Sequence, residues 1–235
     1  MRERCMFRQE IYEQFARIGR AISSPKRLEL LDLLAQGERT VEALAREADL
    51  SIANTSQHLQ TLKSSGLVRS HKSGLHVVYS LADEGVCDLV LEIKKLAEKR
   101  LAEIGRISRE FMEGHPNMVP VDRTTFLERL KSGDIIVIDV RPREEFAAGH
   151  LRGAQCVPLD ELDEYLDKLP KDRDIVAYCR GPYCVLAIEA VERLRAKGFR
   201  AYPIREGVRE WKSLGLKIEQ GLEALENSLS QQNSL

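Results

Sequence analysis

"DIVAYCRGPYCVLAIEAVERLRAKG", residues 174–198, holds three patterns in one stretch. Ile175 to Tyr178 is a short apolar run of the length of a buried strand. Arg180-Gly181-Pro182 is turn chemistry, and an apolar helical pattern follows Cys184 and runs to Gly198. The reading is a strand that stops at Cys179, a loop, and a helix. Upstream, "DIIVIDVRPREEFAAGHLRGAQCVPL", residues 134–159, repeats the design: a β-branched run ends in Asp139-Val140-Arg141 and a helix-like segment follows. "FRAYPIREGVREWKSLG", residues 199–215, supplies one more strand and a short helix around Trp211. Alternating strands and helices predict a parallel sheet covered on both faces, with ligands bound beyond the carboxyl ends of its strands. Cys179 belongs at such an end, whereas Cys156, in an apolar strand, belongs in the core.

The loop predicts a chemistry. A loop entering a helix turns its N–H groups inward, and the helix N-terminus carries partial positive charge, so both favour an anion at the cysteine. Such a site lowers a thiol pKa from about 8.5 toward neutrality or below. The thiolate would attack the outer sulfur of a small anionic sulfur donor such as thiosulfate, hold the sulfur as a persulfide, and pass it to a thiol acceptor. This two-step covalent route calls for no metal and no organic cofactor.

The chain has 235 residues, enough for two domains, with 36 Lys and Arg against 37 Asp and Glu. Five cysteines at irregular spacing argue against a disulfide framework. No apolar run approaches a membrane span, and "MRERCMFRQEIYEQF" lacks a signal-peptide core, so a cytoplasmic protein without membrane contact is expected. The first half reads as helix with one interruption. "SSPKRLELLDLLAQG", residues 23–37, is a helix with Ser24 as N-cap, Pro25 in its first turn and Gly37 past its end. Thr40 caps "VEALAREADL" and Ser51 caps "IANTSQHLQTLKSSG", which Gly66 closes. "LVRSHKSGLHVVYSL", residues 67–81, is a hairpin, and from Asp83 to about Glu113 one long amphipathic helix is expected. "EGHPNMVP", residues 113–120, is the linker signal. The domains are accordingly 1–113, a linker 114–120, 121–220, and a tail 221–235.

Two short helices, the second free of acids, ahead of a basic hairpin form a winged helix-turn-helix. With "SSPKRLELLDLL" and "TSQHLQTLKSSGLV", the segment from about residue 10 to 105 resembles the ArsR/SmtB family of bacterial transcriptional repressors. The resemblance implies a homodimer joined through the helices around residues 8–22 and 83–110, bound to a double-stranded DNA operator. Asn54, Thr55, Ser56, Gln57, His58 and Gln60 are of the type that reaches base edges, and Lys63, Arg69, Lys72 and His76 of the type that neutralises phosphates. The cysteine pair that many such repressors use for metal is missing from "TVEALAREADL", and no metal site is expected. Cys5 and Cys87 stand on elements that pack together in this family, as a thiol sensor or as a free thiol and a core residue.

"DVRPREEFAAGHLRGA", "YCRGPYC" and "REGVREWKSLG", spread over about residues 120–216, look like the single-domain rhodanese, a sulfurtransferase. The expected fold class is thus a mainly α winged helix-turn-helix followed by an α/β rhodanese-like domain with a parallel sheet. The resemblance implies that Cys179 is the nucleophile and persulfide carrier, cradled by Arg180, Gly181, Pro182, Tyr183 and Cys184. Arg180 is placed to meet a dianionic donor. Cys184 either resolves a modified Cys179 as a disulfide or fills the helix start. Asp139 and Arg141 would bond each other and the loop, and His150 would brace its turn. The combination reads as a repressor that answers to sulfane sulfur or thiol redox state. The alternatives are a repressor with a non-catalytic sensor domain and a sulfurtransferase whose helical half only dimerises.

Overall fold

In a computed structural model of the chain, residues 2–115, 118 and 120–222 are described. Residues 116, 117 and 119 of the expected linker and 223–235 of the expected tail lie outside them. The chain divides between Ala102 and Glu103 into two compact units.

The first unit runs α1 (Arg2–Ile22), α2 (Pro25–Leu34), β1 (Arg39–Thr40), α3 (Val41–Glu47), α4 (Ile52–Ser64), β2 (Val68–Ser73), β3 (His76–Leu81) and α5 (Glu84–Arg100). Its caps are chemical. Thr40 Oγ1 accepts the Ala43 N–H and Ser51 Oγ accepts the Asn54 N–H, each at 3.2 Å. Ser24 stands at the cap position ahead of Pro25, but its hydroxyl makes no capping bond. Gly66, at φ +74, takes the left-handed turn that ends α4 and feeds the hairpin. β2 and β3 pair antiparallel through Ser73 and His76, and β1 adds to the far side of β3. Leu30, Leu31, Leu44, Leu59 and Leu62 are fully buried among the helices.

One expectation fails at Leu101. The helix expected to reach Glu113 unwinds there, at φ −111 and ψ 103, and a separate α6 (Ala102–Glu113) follows. No Pro or Gly marks the break. Its cause is packing: α6, from Glu103 on, belongs by its contacts to the second unit, where Met112 lies against the core.

The second unit continues with α7 (Arg123–Ser132), β4 (Ile135–Asp139), α8 (Arg143–Ala148), β5 (His150–Leu151), β6 (Gln155–Cys156), α9 (Leu162–Tyr165), β7 (Asp174–Tyr178), α10 (Leu186–Ala196), β8 (Ala201–Pro203), α11 (Val208–Ser213) and β9 (Ile218–Glu219). Four strands form a parallel sheet in the order β6-β4-β7-β8. Both faces are covered. Ile136, Ile138, Ile175 and Ala177 enter one apolar cluster, and Val137, Val176 and Tyr178 the other, as the twofold alternation of strand side chains requires. In this register Asp139 lies beside Tyr178, so the chain leaves both central strands at one edge.

Behind that edge, Trp211 is fully buried, stacked on Phe126 at 5.7 Å and edge-on to Tyr178 at 4.5 Å. Phe126→Ala should therefore lower the stability of the second unit by about 3–5 kcal/mol. Trp211, the single tryptophan of the chain, reports it by fluorescence during urea unfolding; an unchanged midpoint would show that this layer does not hold the unit together.

Candidate functional site

The strand β7 delivers Cys179 to the carboxyl edge of the sheet, where only 2 % of it is exposed. The loop then turns through Gly181 at φ +136, and Cys184 donates its N–H to the Gly181 carbonyl at 3.1 Å. Cys184 ends just ahead of α10, half-buried. The N–H groups do turn inward: those of Gly181 and Ala187 serve the Cys179 sulfur, and those of Arg180 and Leu186 the Cys184 sulfur. Gly207 presses on the loop from the other side. A Cβ there would lie 2.6 Å from the Arg180 carbonyl carbon and 2.8 Å from the Gly181 nitrogen. The Gly207 N–H is held by Glu210 Oε2 at 2.9 Å.

The thiolate is not where the loop alone predicts. The Cys179 thiol donates to the Cys184 carbonyl at 3.4 Å. Its hydrogen bond to the Cys184 sulfur, followed by burial, holds the Cys179 pKa well above that of a free thiol. The same bond, helped by the N–H groups and the Arg180 charge, overcomes burial and pulls Cys184 down to about 7. When the pair gives up one proton, the negative charge therefore rests on Cys184. Cys156, enclosed in β6, is pushed up to about 12, chiefly by burial.

Arg180 is also placed otherwise than expected. Its guanidinium grips Glu145, with Nη2 2.6 Å and Nε 2.9 Å from Oε1, so it closes a salt bridge inside the protein instead of facing a donor. Glu145 is 1 % exposed and lies 3.9 Å from Arg141, whose Nη2 and Nε bind Asp139 at 2.6 and 2.9 Å. Arg141 also donates to the Gly149 carbonyl at 2.8 Å. Asp139, Arg141 and Glu145, all buried, and the half-buried Arg180 thus form one chain of charge beneath the loop. His150 braces its turn: Nδ1 is 2.9 Å from the Phe146 carbonyl and the ring stacks on Phe146 at 3.6 Å. Among the described residues, no three His, Cys, Asp or Glu side chains gather where a metal would sit.

On the first unit, α4 presents Asn54, Gln57 and Gln60 to solvent, with Ser56 and His58 half-exposed. Thr55 is a correction. It is fully buried, and its hydroxyl donates back to the Ser51 carbonyl at 3.0 Å, so it belongs to the helix and core and not to base edges. Gln60 Nε2 rests 3.1 Å from the Tyr79 hydroxyl, and Lys63 Nζ donates to Ser70 Oγ at 2.7 Å, tying α4 to the hairpin. Arg69, Lys72 and His76 are exposed along β2 and β3. Cys5 is exposed on α1 and Cys87 buried on α5. Sequence reading missed Glu145, Gly207 and Glu210. The inward position of Glu145 on α8 and the three-residue spacing of Gly207 and Glu210 were the available signals.

Fold and sites together define a winged helix-turn-helix regulator followed by an α/β unit with a two-thiol loop. Residues 24–70 match the bacterial regulatory protein, arsR family, and residues 122–214 the rhodanese-like domain. The HTH-type transcriptional regulator Rv0324 of Mycobacterium tuberculosis is 40 % identical over 211 residues, which is 90 % of this chain and 92 % of that protein. The probable mercury resistance operon repressor of Streptomyces lividans is 35 % identical over 99 residues, 42 % of this chain and 79 % of its own. A sulfurtransferase of Allochromatium vinosum is 30 % identical over 100 residues, 42 % of this chain and 92 % of its own. The chain belongs to the ArsR family of helix-turn-helix transcriptional regulators and carries a C-terminal rhodanese-like domain. No helix among the described residues is long and apolar enough to cross a membrane.

Alkylation of Cys184 by iodoacetamide should rise with pH through about 7, because only the thiolate reacts and the proton is lost there. A midpoint at the free-thiol value of about 8.5, read by peptide mass spectrometry, would show that the two sulfurs do not share their charge. Gly207→Ala should displace the Arg180–Gly181 backbone and destabilise the second unit by about 1–3 kcal/mol, measured by thermal unfolding.

Proposed function

We propose that the chain is a homodimeric repressor, acting in the cytoplasm, in which sulfane sulfur carried on Cys179 reports to the operator-binding half. The observation that carries this reading is the pair of thiols, each met by N–H groups of the loop and the first turn of α10, at the carboxyl edge of a sheet in a chain headed by a winged helix-turn-helix. A persulfide anion on Cys179 would find the Gly181 and Ala187 N–H groups already turned toward it. Cys179 must lose its proton before it attacks sulfur, and Cys184 is the thiol hydrogen-bonded to it. The kinship to a named repressor and to a named sulfurtransferase supports the two halves of the reading separately.

Dimerisation is supported by α1. Met6, Phe7, Tyr12 and Phe15 are 56–66 % exposed along it, an apolar stripe that a second copy would cover. DNA binding rests on the exposed polar face of α4 with Lys63, Arg69, Lys72 and His76 beside it. Beyond that face, α6 belongs to the rhodanese-like unit and follows α5 after the single residue Leu101, which gives the signal a short covalent route.

The test uses a labelled DNA fragment from upstream of the protein's own gene, bound by reduced and by polysulfide-treated protein across a salt series. A Lys63→Ala, Arg69→Ala double variant should bind at least about tenfold more weakly and with a shallower salt slope. Binding unchanged in that variant would remove the DNA face from α4 and the hairpin. Treatment should change the affinity of the parent and leave that of Cys179→Ser unchanged; an equal response in both would end the assignment of Cys179 as carrier.

A further inference from the structure

A cavity of about 280 Å³ opens beside the thiol loop, close to the lower end of small-molecule sites. Its walls are Ile107, Phe111 and Met112 of α6, Tyr183 and Val185 of the loop, and Ile188 of α10. All of these belong to the second unit. The described lining includes Cys184 and does not include Cys179, which lies deeper. Ser108 and the exposed Arg205 are among its few polar members. The cation best placed on the loop for a dianion, Arg180, is bound to Glu145.

An apolar wall with a thiol at its end is poor company for thiosulfate, whose two charges would lose water and meet hydrocarbon. It suits a sulfur carrier with at most one charge and an apolar body. We propose that this cavity seats an organic persulfide, R–S–SH with an apolar R group, and that Cys184 is the entry thiol that takes the sulfur and relays it to Cys179. The proposal rests on the reading of Cys179 as sulfur carrier and adds the donor class and the route. In the first step the Cys184 thiolate attacks the outer sulfur of R–S–SH. The donor S–S bond breaks, the thiolate R–S⁻ leaves with its electron pair, and Cys184 becomes a persulfide. The leaving group takes the proton of Cys179 and departs as R–SH. The Cys179 thiolate then attacks the outer sulfur on Cys184, forming Cys179–S–SH and restoring the Cys184 thiolate. One sulfur has moved, and no oxidant or reductant is consumed.

The experiment follows sulfur addition to each cysteine of the full chain by rapid-quench mass spectrometry. The donors are benzyl persulfide, released from an acyl-protected precursor, and glutathione persulfide, whose R group is polar and charged. Rates are taken relative to a free cysteine peptide. Benzyl persulfide should load the parent at least about tenfold faster than glutathione persulfide, the scale set by an apolar pocket contact. Ile107→Glu, at a position 58 % exposed and therefore compatible with folding, should abolish that preference by placing a carboxylate in the wall. In Cys179→Ser the benzyl donor should still add sulfur at Cys184, and in Cys184→Ser its delivery to Cys179 should fall about tenfold or more. Equal rates for the two donors, or full-rate loading of Cys179 in Cys184→Ser, overturns the entry route while leaving Cys179 a carrier. Absence of sulfur on Cys179 with both donors in the parent overturns the proposed function itself, and the relay with it.

Discussion

A buried guanidinium cannot be left without a counter-charge, and in this protein the buried Arg141 and the half-buried Arg180 converge on one buried carboxylate, Glu145. Asp139 binds Arg141 at 2.6 Å, and the shorter contacts of Glu145 go to Arg180. Because Asp139 ends β4, Glu145 sits on α8 and Arg180 opens the loop after β7, the chain of charge fastens the connection that follows β4 to the loop that follows β7. The parallel pairing of Asp139 with Tyr178 brings these ends together, and the ion network then fixes where the loop stands. Gly207 closes the other side, since only a residue without a Cβ can approach the Arg180 carbonyl so closely. The position of Cys179 follows from these constraints.

The network also decides what the loop can bind. An arginine that satisfies a buried glutamate contributes its field to the nearby thiols but does not offer its fork to a ligand. The Arg180 charge is one of the influences that lower the Cys184 pKa, and the thiol–thiol hydrogen bond is the largest of them. A second cysteine therefore changes the site in kind. A lone thiol buried as deeply as Cys179 would stay protonated, whereas a hydrogen-bonded pair can hold one negative charge and move the proton between its members.

What the sequence revealed and what it hid divide along the range of the interactions. The strands β4 and β7 were legible because both faces of a parallel sheet are buried, which writes Ile135–Asp139 and Asp174–Tyr178 as near-continuous apolar runs. Thr40 and Ser51 were legible because a cap reaches only three residues ahead. The salt bridge from Arg180 to Glu145 spans 35 residues, and no local pattern announces it. Thr55 has the composition of a base-reading residue, and only the helix phase shared with the fully buried Leu59 and Leu62 turns it inward. Leu101 carries no breaking signal on either side. There the helix yields to the packing of Met112, although the helical pattern runs on to Glu113.

That break has a consequence for the thiol loop. Had α5 continued, the apolar residues Ile107, Phe111 and Met112 would have stayed on one helix with the first unit's Val86 and Val90. Because the chain unwinds at Leu101, those three side chains instead wall the cavity beside Cys184. The residue type at the mouth of that cavity matters less than its depth: Cys184 is half-buried at the wall, and Cys179 is almost sealed behind it. A reagent arriving from the cavity meets the thiol that carries the charge before the thiol that is best enclosed. The burial that helps keep Cys179 protonated also encloses it, so a thiol arriving from solvent would meet Cys184 first.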